Sequence, residues 1–142
     1  MSFTDLEIAY LHGQRLGRLA TSREDGTLQA SPVGFRYNAE LGTVDIGGFN
    51  MERSWKYRNV AANGRVAFVV DDIASVDPWR VRCLEIRGRG EAVLAPADSA
   101  YGTTDPIIRI HPERIIGFGL DQPDVEPHRL RPNARNVATP GA

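Results

Sequence analysis

The chain has 142 residues, of which 42% are hydrophobic and 25% are charged, and this composition is typical of one globular domain. The formal net charge of −1 gives no global attraction to nucleic acid or to an anionic membrane, so we expect neither as a partner. The single cysteine, Cys83, excludes an internal disulfide, and His12, His111 and His128 lack the spacing of metal ligands. We therefore expect no metal site.

Targeting signals are not visible in the sequence. The N-terminus has no basic region followed by an apolar core, and the longest apolar run, Val66 to Val70, is too short to cross a bilayer. The expected location is the cytosol.

The first predicted elements are a short helix and a hairpin. Thr4 and Glu7 have the spacing of a capping box, and Gly13 can end the helix that follows. Two segments with β character flank the Asp25-Gly26 pair, which favours a tight turn between antiparallel strands.

The remaining pattern predicts more strands and one further helix. Asn50 or Ser54 can cap a helix that runs to about Ala62 and stops at Asn63-Gly64, and the stretch from Ile73 to Pro78 is a predicted loop. The predicted strands are Leu16–Ser22, Thr27–Tyr37, Thr43–Ile46, Arg65–Asp72, Trp79–Leu94, and a last pair, Ile107–Ile110 and Ile115–Leu120, hinged at His111-Pro112. About six sequential strands with two short helices predict a mainly β fold, an antiparallel barrel or sandwich.

The composition changes after Asp121. Four prolines occur among charged residues with few large apolar ones, a pattern that cannot bury enough surface to order itself. We therefore predict a folded domain over residues 1–121, and a flexible tail or dimer arm over residues 122–142.

The most informative stretch runs from Gly47 to Asn59. A strand ends in Gly47 and Gly48, and the helix that follows carries Arg53, Ser54 and Lys56 at its beginning. A helix N-terminus offers free N–H groups and a partial positive charge, and glycines allow a flat ring to lie close to the strand end. These residues predict a site for a phosphate attached to a planar group. The alternative is a surface helix with basic residues and a glycine turn.

An ordered series of segments resembles one known family. The segments occur in this order: Ser31-Pro32-Val33-Gly34-Phe35 on a strand, the Gly-rich turn, Arg53-Ser54-x-Lys56-x-x-Asn59-Val60, the strand Arg65–Val70, and the later strands around Ile86–Ala92 and Ile110–Leu120. The series, over about residues 4 to 121, resembles the pyridoxamine-5'-phosphate-oxidase-like split β-barrels, and within them the deazaflavin (coenzyme F420)-dependent oxidoreductases.

This resemblance implies a six-stranded antiparallel split β-barrel that forms a homodimer, with the cofactor at the subunit interface. It places the cofactor phosphate on Lys56, with Arg53 and Ser54 beside it. The ring-facing strand corresponds to Ala30, Ser31, Pro32, Val33 and Gly34. Asn59 is expected to hold the helix to the barrel. Trp79 could cover a ring, line a substrate pocket or pack in a core or interface.

The resemblance implies an oxidoreductase that transfers a hydride between bound coenzyme F420 and a small organic substrate. An oxidoreductase that uses flavin mononucleotide (FMN) on the same fold is one alternative, and a non-catalytic module that binds flavin or haem is another. Pyridoxamine phosphate is a poor substrate candidate, because the segment Pro96–Asp105 is short and contains no Arg or Lys. The sequence identifies no catalytic residue.

Overall fold

The computed structural model describes residues 2–96 and 104–138. Its first helix, α1 (Asp5–Gly13), begins with a capping box. The Thr4 side chain accepts a hydrogen bond from the Glu7 N–H at 3.2 Å, and the Glu7 carboxylate accepts one from the Thr4 N–H at 2.9 Å. These bonds satisfy two N–H groups that a helix start leaves unpaired, which confirms the predicted helix. Most of the segment Pro96–Asp105 lies outside the described residues.

One antiparallel sheet contains the eight strands found in the described ranges. They are β1 (Leu16–Ser22), β2 (Leu28–Gly34), β3 (Arg36–Asn38), β4 (Thr43–Ile46), β5 (Arg65–Ser75), β6 (Arg80–Val93), β7 (Ile107–Phe118) and β8 (Asn133–Asn136). The order is β2-β1-β5-β6-β7-β4-β3, and β8 also pairs with β7. The predicted mainly β, antiparallel fold is confirmed, and the sheet curls into a half-barrel.

The inner face of the curled sheet forms the core. Along β5 the side chains of Val66, Phe68 and Val70 are buried while those between them are more exposed, as a strand with one solvated face requires. The longest strands add further fully buried side chains, Leu84, Ile86, Ile108, Ile110 and Ile115. Pro32 lies on β2, an edge strand of the sheet, where the missing N–H group of a proline is tolerated.

The predicted hinge at His111-Pro112 is a bulge inside one continuous strand. Arg87 pairs with Arg114 and Gly88 with Pro112, so Glu113, directly after this dipeptide, is the extra residue of the bulge. A Cβ atom on Gly88 would lie 2.1 Å from the His111 carbonyl oxygen, so only glycine allows the two backbones to approach this closely. The predicted division into two strands hinged at His111-Pro112 was therefore wrong. The bulge accommodates the proline while β7 stays paired with β6 on both sides of it.

Three other boundaries differ from the predictions. The segment predicted as one strand, Thr27–Tyr37, is divided into β2 and β3, and β5 continues to Ser75 into the predicted loop. In the region predicted as a flexible tail or dimer arm, Asn133–Asn136 pairs with β7 of the same chain. The tail thus contains a sheet strand at these residues, held by backbone hydrogen bonds that composition does not reveal. A contact of the tail with a partner stays a prediction.

The second helix, α2 (Trp55–Asn63), crosses from β4 to β5. Ser54 caps its beginning, and Gly64 ends it in the left-handed conformation with φ of 67°. Of the two candidate caps the structure selects Ser54, since Asn50 makes no side-chain cap bond. Neither α-helix in the described ranges has the length and apolar character that a bilayer crossing requires.

Candidate functional site

The predicted phosphate site is one continuous segment between β4 and α2. β4 ends at Ile46, Gly47 and Gly48 follow, and Asn50 has a positive φ of 51° that turns the chain. A single 3₁₀ turn, Met51–Arg53, then leads into the helix, and the Met51 side chain is buried and anchors it. The turn places the exposed side chain of Arg53 and the half-buried side chain of Lys56 near the first turn of α2.

Ser54 has a structural role in this turn. Its hydroxyl oxygen accepts a hydrogen bond from the Tyr57 N–H at 3.3 Å, and the hydroxyl itself donates to the Met51 carbonyl oxygen at 2.7 Å. A serine hydroxyl has a single proton to donate, and here it is used within the chain. Ser54 therefore builds the turn that carries Arg53 and Lys56, and its bond to a phosphate stays a prediction.

Basic side chains gather around the beginning of α2. Trp55 is half exposed, and the guanidinium groups of Arg23 and Arg58 lie 4.6 and 5.0 Å from its ring centroid. No acidic residue lies in the first helical turn, and no salt bridge joins these two arginines, Arg53 or Lys56 to a described acidic side chain. Cations at a helix N-terminus are repelled by the positive end of the helix dipole and by one another. A bound anion would reduce both repulsions.

Lys56 differs in kind from the other cations of this cluster. It is the only lysine in the sequence, so all other basic residues counted in the net charge are arginines. A lysine ammonium is a compact charge with three donors, whereas arginine has a planar fork of donors. The cluster therefore combines a point charge at the helix start with the flat guanidinium groups around it.

Asn59 connects the phosphate helix to the hairpin of β1 and β2. Its side-chain amide is buried and donates to the Thr21 hydroxyl at 3.1 Å and to the Gln29 side-chain oxygen at 3.4 Å. This confirms the prediction that Asn59 holds the helix to the barrel.

The predicted ring-facing residues lie together on the edge strand β2. Ala30, Pro32 and Gly34 are exposed on one face, while Ser31 and Val33 point toward the other. Since β2 pairs only with β1 in the described structure, backbone groups of alternate residues on its free edge remain available for a ligand. The Ser31 hydroxyl oxygen is buried on the opposite face without a hydrogen-bond partner among the described residues.

Trp79 does not join the other predicted site residues. It lies in the turn between β5 and β6 and is 49% exposed, so it is not a core residue. It lines a separate groove together with residues from β1, β5, β6 and β7.

Comparison with known proteins identifies the family. The model of the pyridoxamine 5'-phosphate oxidase family matches residues 5–133. The chain belongs to this family. The match includes the edge strand, the glycine turn and the basic helix start described above.

One curated relative of this family member is a 5a,11a-dehydrotetracycline/5a,11a-dehydrooxytetracycline reductase from Streptomyces rimosus. The two sequences are 45% identical over 122 residues, which cover 85% of this chain and 86% of the relative. The matched region therefore includes both the basic helix start and the groove at Trp79.

Two similar solved structures are a FAD-binding protein from Mycobacterium smegmatis and one from Mesorhizobium loti. The first has a TM-score of 0.63 at 22% identity and covers 81% of this chain and 93% of its own. The second has a TM-score of 0.61 at 20% identity and covers 81% and 94%. Both likenesses confirm the fold of the family member.

A polar cluster of Tyr10, Asp72 and Arg82 was not predicted from the sequence. The Tyr10 hydroxyl donates to Asp72 at 2.8 Å, and Arg82 makes two bonds to the same carboxylate at 2.9 and 2.6 Å. These bonds hold the pKa of Asp72 below its usual range, chiefly through Arg82, while burial raises the pKa of Tyr10. Arg82 lies half-buried, because Asp72, its partner on β5, faces inward.

The cluster predicts a dependence of stability on pH. Because the folded-state pKa of Asp72 is below the unfolded value, its stabilising contribution is present above about pH 4 and is lost as the pH falls further. We expect acid to reduce the free energy of unfolding more steeply in the wild type than in Asp72→Asn. Urea titrations at a series of pH values measure both slopes, and equal slopes would contradict the assignment.

Proposed function

We propose that this protein is an oxidoreductase that transfers a hydride between bound coenzyme F420 and a small organic substrate. The observation that carries the proposal is the set of basic side chains at the start of α2 that form no salt bridge with a described acidic side chain, among them Arg53 and Lys56 next to the glycine turn. A phosphate-bearing cofactor would neutralise them. The family and the 45%-identical reductase support the general assignment as an oxidoreductase, whatever the cofactor.

The choice of cofactor rests on charge as well as on relatives. Two similar structures are FAD-binding proteins by name, which supports a flavin-type ring. FMN ends in one phosphate, whereas coenzyme F420 continues beyond its phosphate into a chain that bears carboxylates. The guanidinium groups of Arg23 and Arg58 lie on Trp55, the residue before Lys56, and line a pocket together with Glu24 and Asp25. These two arginines would meet the carboxylates of F420, which is the reason to propose F420, with FMN as the alternative.

The described residues fit such a group. Lys56 and Arg53 would bind the phosphate, and the free backbone edge of β2 between Ala30 and Gly34 would meet the ring. Gly34 leaves open space on the exposed face of this strand, where a side chain would project. When bound, the reduced deazaflavin supplies a hydride to an electron-poor double bond, and a proton completes the reduction. The residues described here bind and orient, and none is assigned to move that proton.

We also propose that the protein forms a homodimer with the cofactor at the subunit interface. Leu16 on β1 is 55% exposed and Leu28 on β2 is 78% exposed. Ala30 and Pro32 of β2 lie on the same face as these leucines. This apolar surface adjoins the predicted ring-facing strand, so a partner placed on it would cover the bound ring. Sedimentation of the apo-protein and of the cofactor complex tests this proposal, and a monomer in both states would contradict it.

Replacement of Lys56 by alanine should weaken cofactor binding by about tenfold or more, because one charge-assisted bond to the phosphate is lost. Titration of the apo-protein with coenzyme F420 and with FMN, followed by absorbance and fluorescence, measures both affinities. Arg129→Ala is the control, since it removes an exposed cation from the C-terminal region. If Lys56→Ala binds the cofactor with unchanged affinity, the placement of the phosphate on Lys56 is wrong.

The same titrations distinguish the cofactors. Tight FMN binding without F420 binding would overturn the deazaflavin proposal while keeping the phosphate site. As an independent readout, Lys56 is the only lysine, so bound cofactor should protect one side-chain amine from acetylation. Peptide mass spectrometry with and without cofactor detects this protection.

A further inference from the structure

A second groove lies on the outer face of the sheet, next to the turn that carries Trp79. Its volume is about 560 Å³, within the range of pockets that hold drug-sized ligands. Val69, Val81 and Phe118 form an apolar wall on neighbouring strands, and the half-exposed ring of Trp79 lines the groove with them. The groove thus has room for a ligand of several fused rings beside two aromatic side chains, Trp79 and Phe118.

Four charged side chains among the described residues also line this groove, Arg18, Asp71, Asp72 and Arg82, and Arg82 pairs with Asp72 as described above. Arg18 donates to Asp71 at 2.8 Å, and both side chains are 51% exposed. Burial raises the pKa of Cys83 to about 11, so its thiol stays neutral at physiological pH and adds to the apolar wall. The lining therefore suits a mostly apolar molecule that also carries oxygen atoms able to accept from arginine.

The strand register places the groove next to the predicted ring-facing strand. Pro32 on β2 is the direct neighbour of Arg18 on β1, which is the direct neighbour of Val69 on β5. Cross-strand partners project from the same face, and two strand spacings amount to about 10 Å. A molecule in the groove would therefore reach toward a ring bound at β2, with the Arg18 guanidinium between them.

We infer that this groove binds the substrate, and that the substrate class is an oxygen-rich polycyclic ketone. The inference rests on the proposed function and adds the position and chemistry of the second ligand. A reductase that is 45% identical acts, by its name, on dehydrotetracyclines, which are four fused rings with conjugated carbonyl groups. Trp79 stacks on the fused rings, and Arg18 donates to their oxygen atoms.

The test uses tetracycline as a stable polycyclic probe and the apo-protein without cofactor. Isothermal titration calorimetry measures its affinity for the wild type, Trp79→Ala and Trp79→Phe. We expect Trp79→Ala to weaken binding about tenfold and Trp79→Phe to retain most of the affinity, because phenylalanine keeps an aromatic face. Leu41→Ala is the control, since Leu41 is 48% exposed, nearly the same as Trp79, but lies in the turn between β3 and β4.

The outcomes separate this inference from the proposed function. Absence of tetracycline binding to the wild type, or equal losses in Trp79→Ala and Leu41→Ala, would overturn the substrate groove even if F420 binds tightly. A wild type that binds tetracycline at Trp79 but neither F420 nor FMN would retain the groove and overturn the cofactor proposal. A thermal melt of each variant verifies that it is folded.

Discussion

Replacement of Arg109 by alanine should lower the free energy of unfolding by about 3–5 kcal/mol, because it breaks a buried ion pair from one side. Arg109 donates to both carboxylate oxygens of Asp45 at 3.1 Å, and Asp45 is completely buried. Asn38 and Thr43 donate to the same carboxylate at 3.0 and 2.9 Å. These neutral donors stay in the variant, but the two bonds from Arg109 to a charge that has no contact with water are lost.

Urea denaturation of the wild type and of Arg109→Ala measures this loss. Arg87→Ala is the control, because Arg87 forms an exposed ion pair with Glu85 at 2.8 Å, and such pairs contribute little. A loss in Arg109→Ala no larger than that in the control would contradict the structural role of the buried pair. If Arg109→Ala fails to fold, the conservative Arg109→Lys, which keeps the charge, should retain a measurable transition.

The buried pair also matters for the candidate site. Asp45 precedes Ile46, the last residue of β4, and Gly47 and Gly48 follow directly. Because Asp45 fixes β4 against β7, it also fixes the point at which the glycine turn leaves the sheet. We therefore expect a partly folded Arg109 variant to bind the cofactor more weakly, although Arg109 is not part of the phosphate site.

Local sequence signals predicted much of the fold. The capping box of Thr4 and Glu7, the strand Leu16–Ser22 and the strand Thr43–Ile46 all have the predicted bounds in the structure. Each depends on interactions between residues a few positions apart, such as a helix cap or a strand that alternates between core and solvent. The continuity of β7 through Pro112 was not predictable in this way, because the bulge depends on Gly88 of the neighbouring strand.

Polar partners distant in sequence could not be predicted. Asp45 and Arg109 are 64 positions apart, and Tyr10 and Asp72 are 62 apart, so no spacing rule connects them. At the candidate site, the pattern identified the helix start and its cations. It could not show that the Ser54 hydroxyl is used within the turn, because that depends on how the backbone folds at Met51.

Replacement of Arg135 by alanine is the second change from which we expect a large loss, about 3 kcal/mol of the free energy of unfolding. Arg135 lies on β8 and donates to the Glu7 carboxylate, whose side chain is 3% exposed, with one bond of 3.0 Å. It also donates to the Ser2 carbonyl oxygen at 2.7 Å. The variant would leave the buried Glu7 charge with the Thr4 N–H as its remaining described partner.

This loss also tests how the C-terminal region is held. If β8 is an integral strand, Arg135→Ala should increase amide exchange both on β8 and in the first turn of α1, because the ion pair joins the two. Arg131→Ala is the control, since this exposed arginine precedes the strand and makes no described ion pair. Exchange on β8 that is fast in the wild type and unchanged in the variant would favour the flexible arm predicted from composition, because a strand paired with β7 protects its amides.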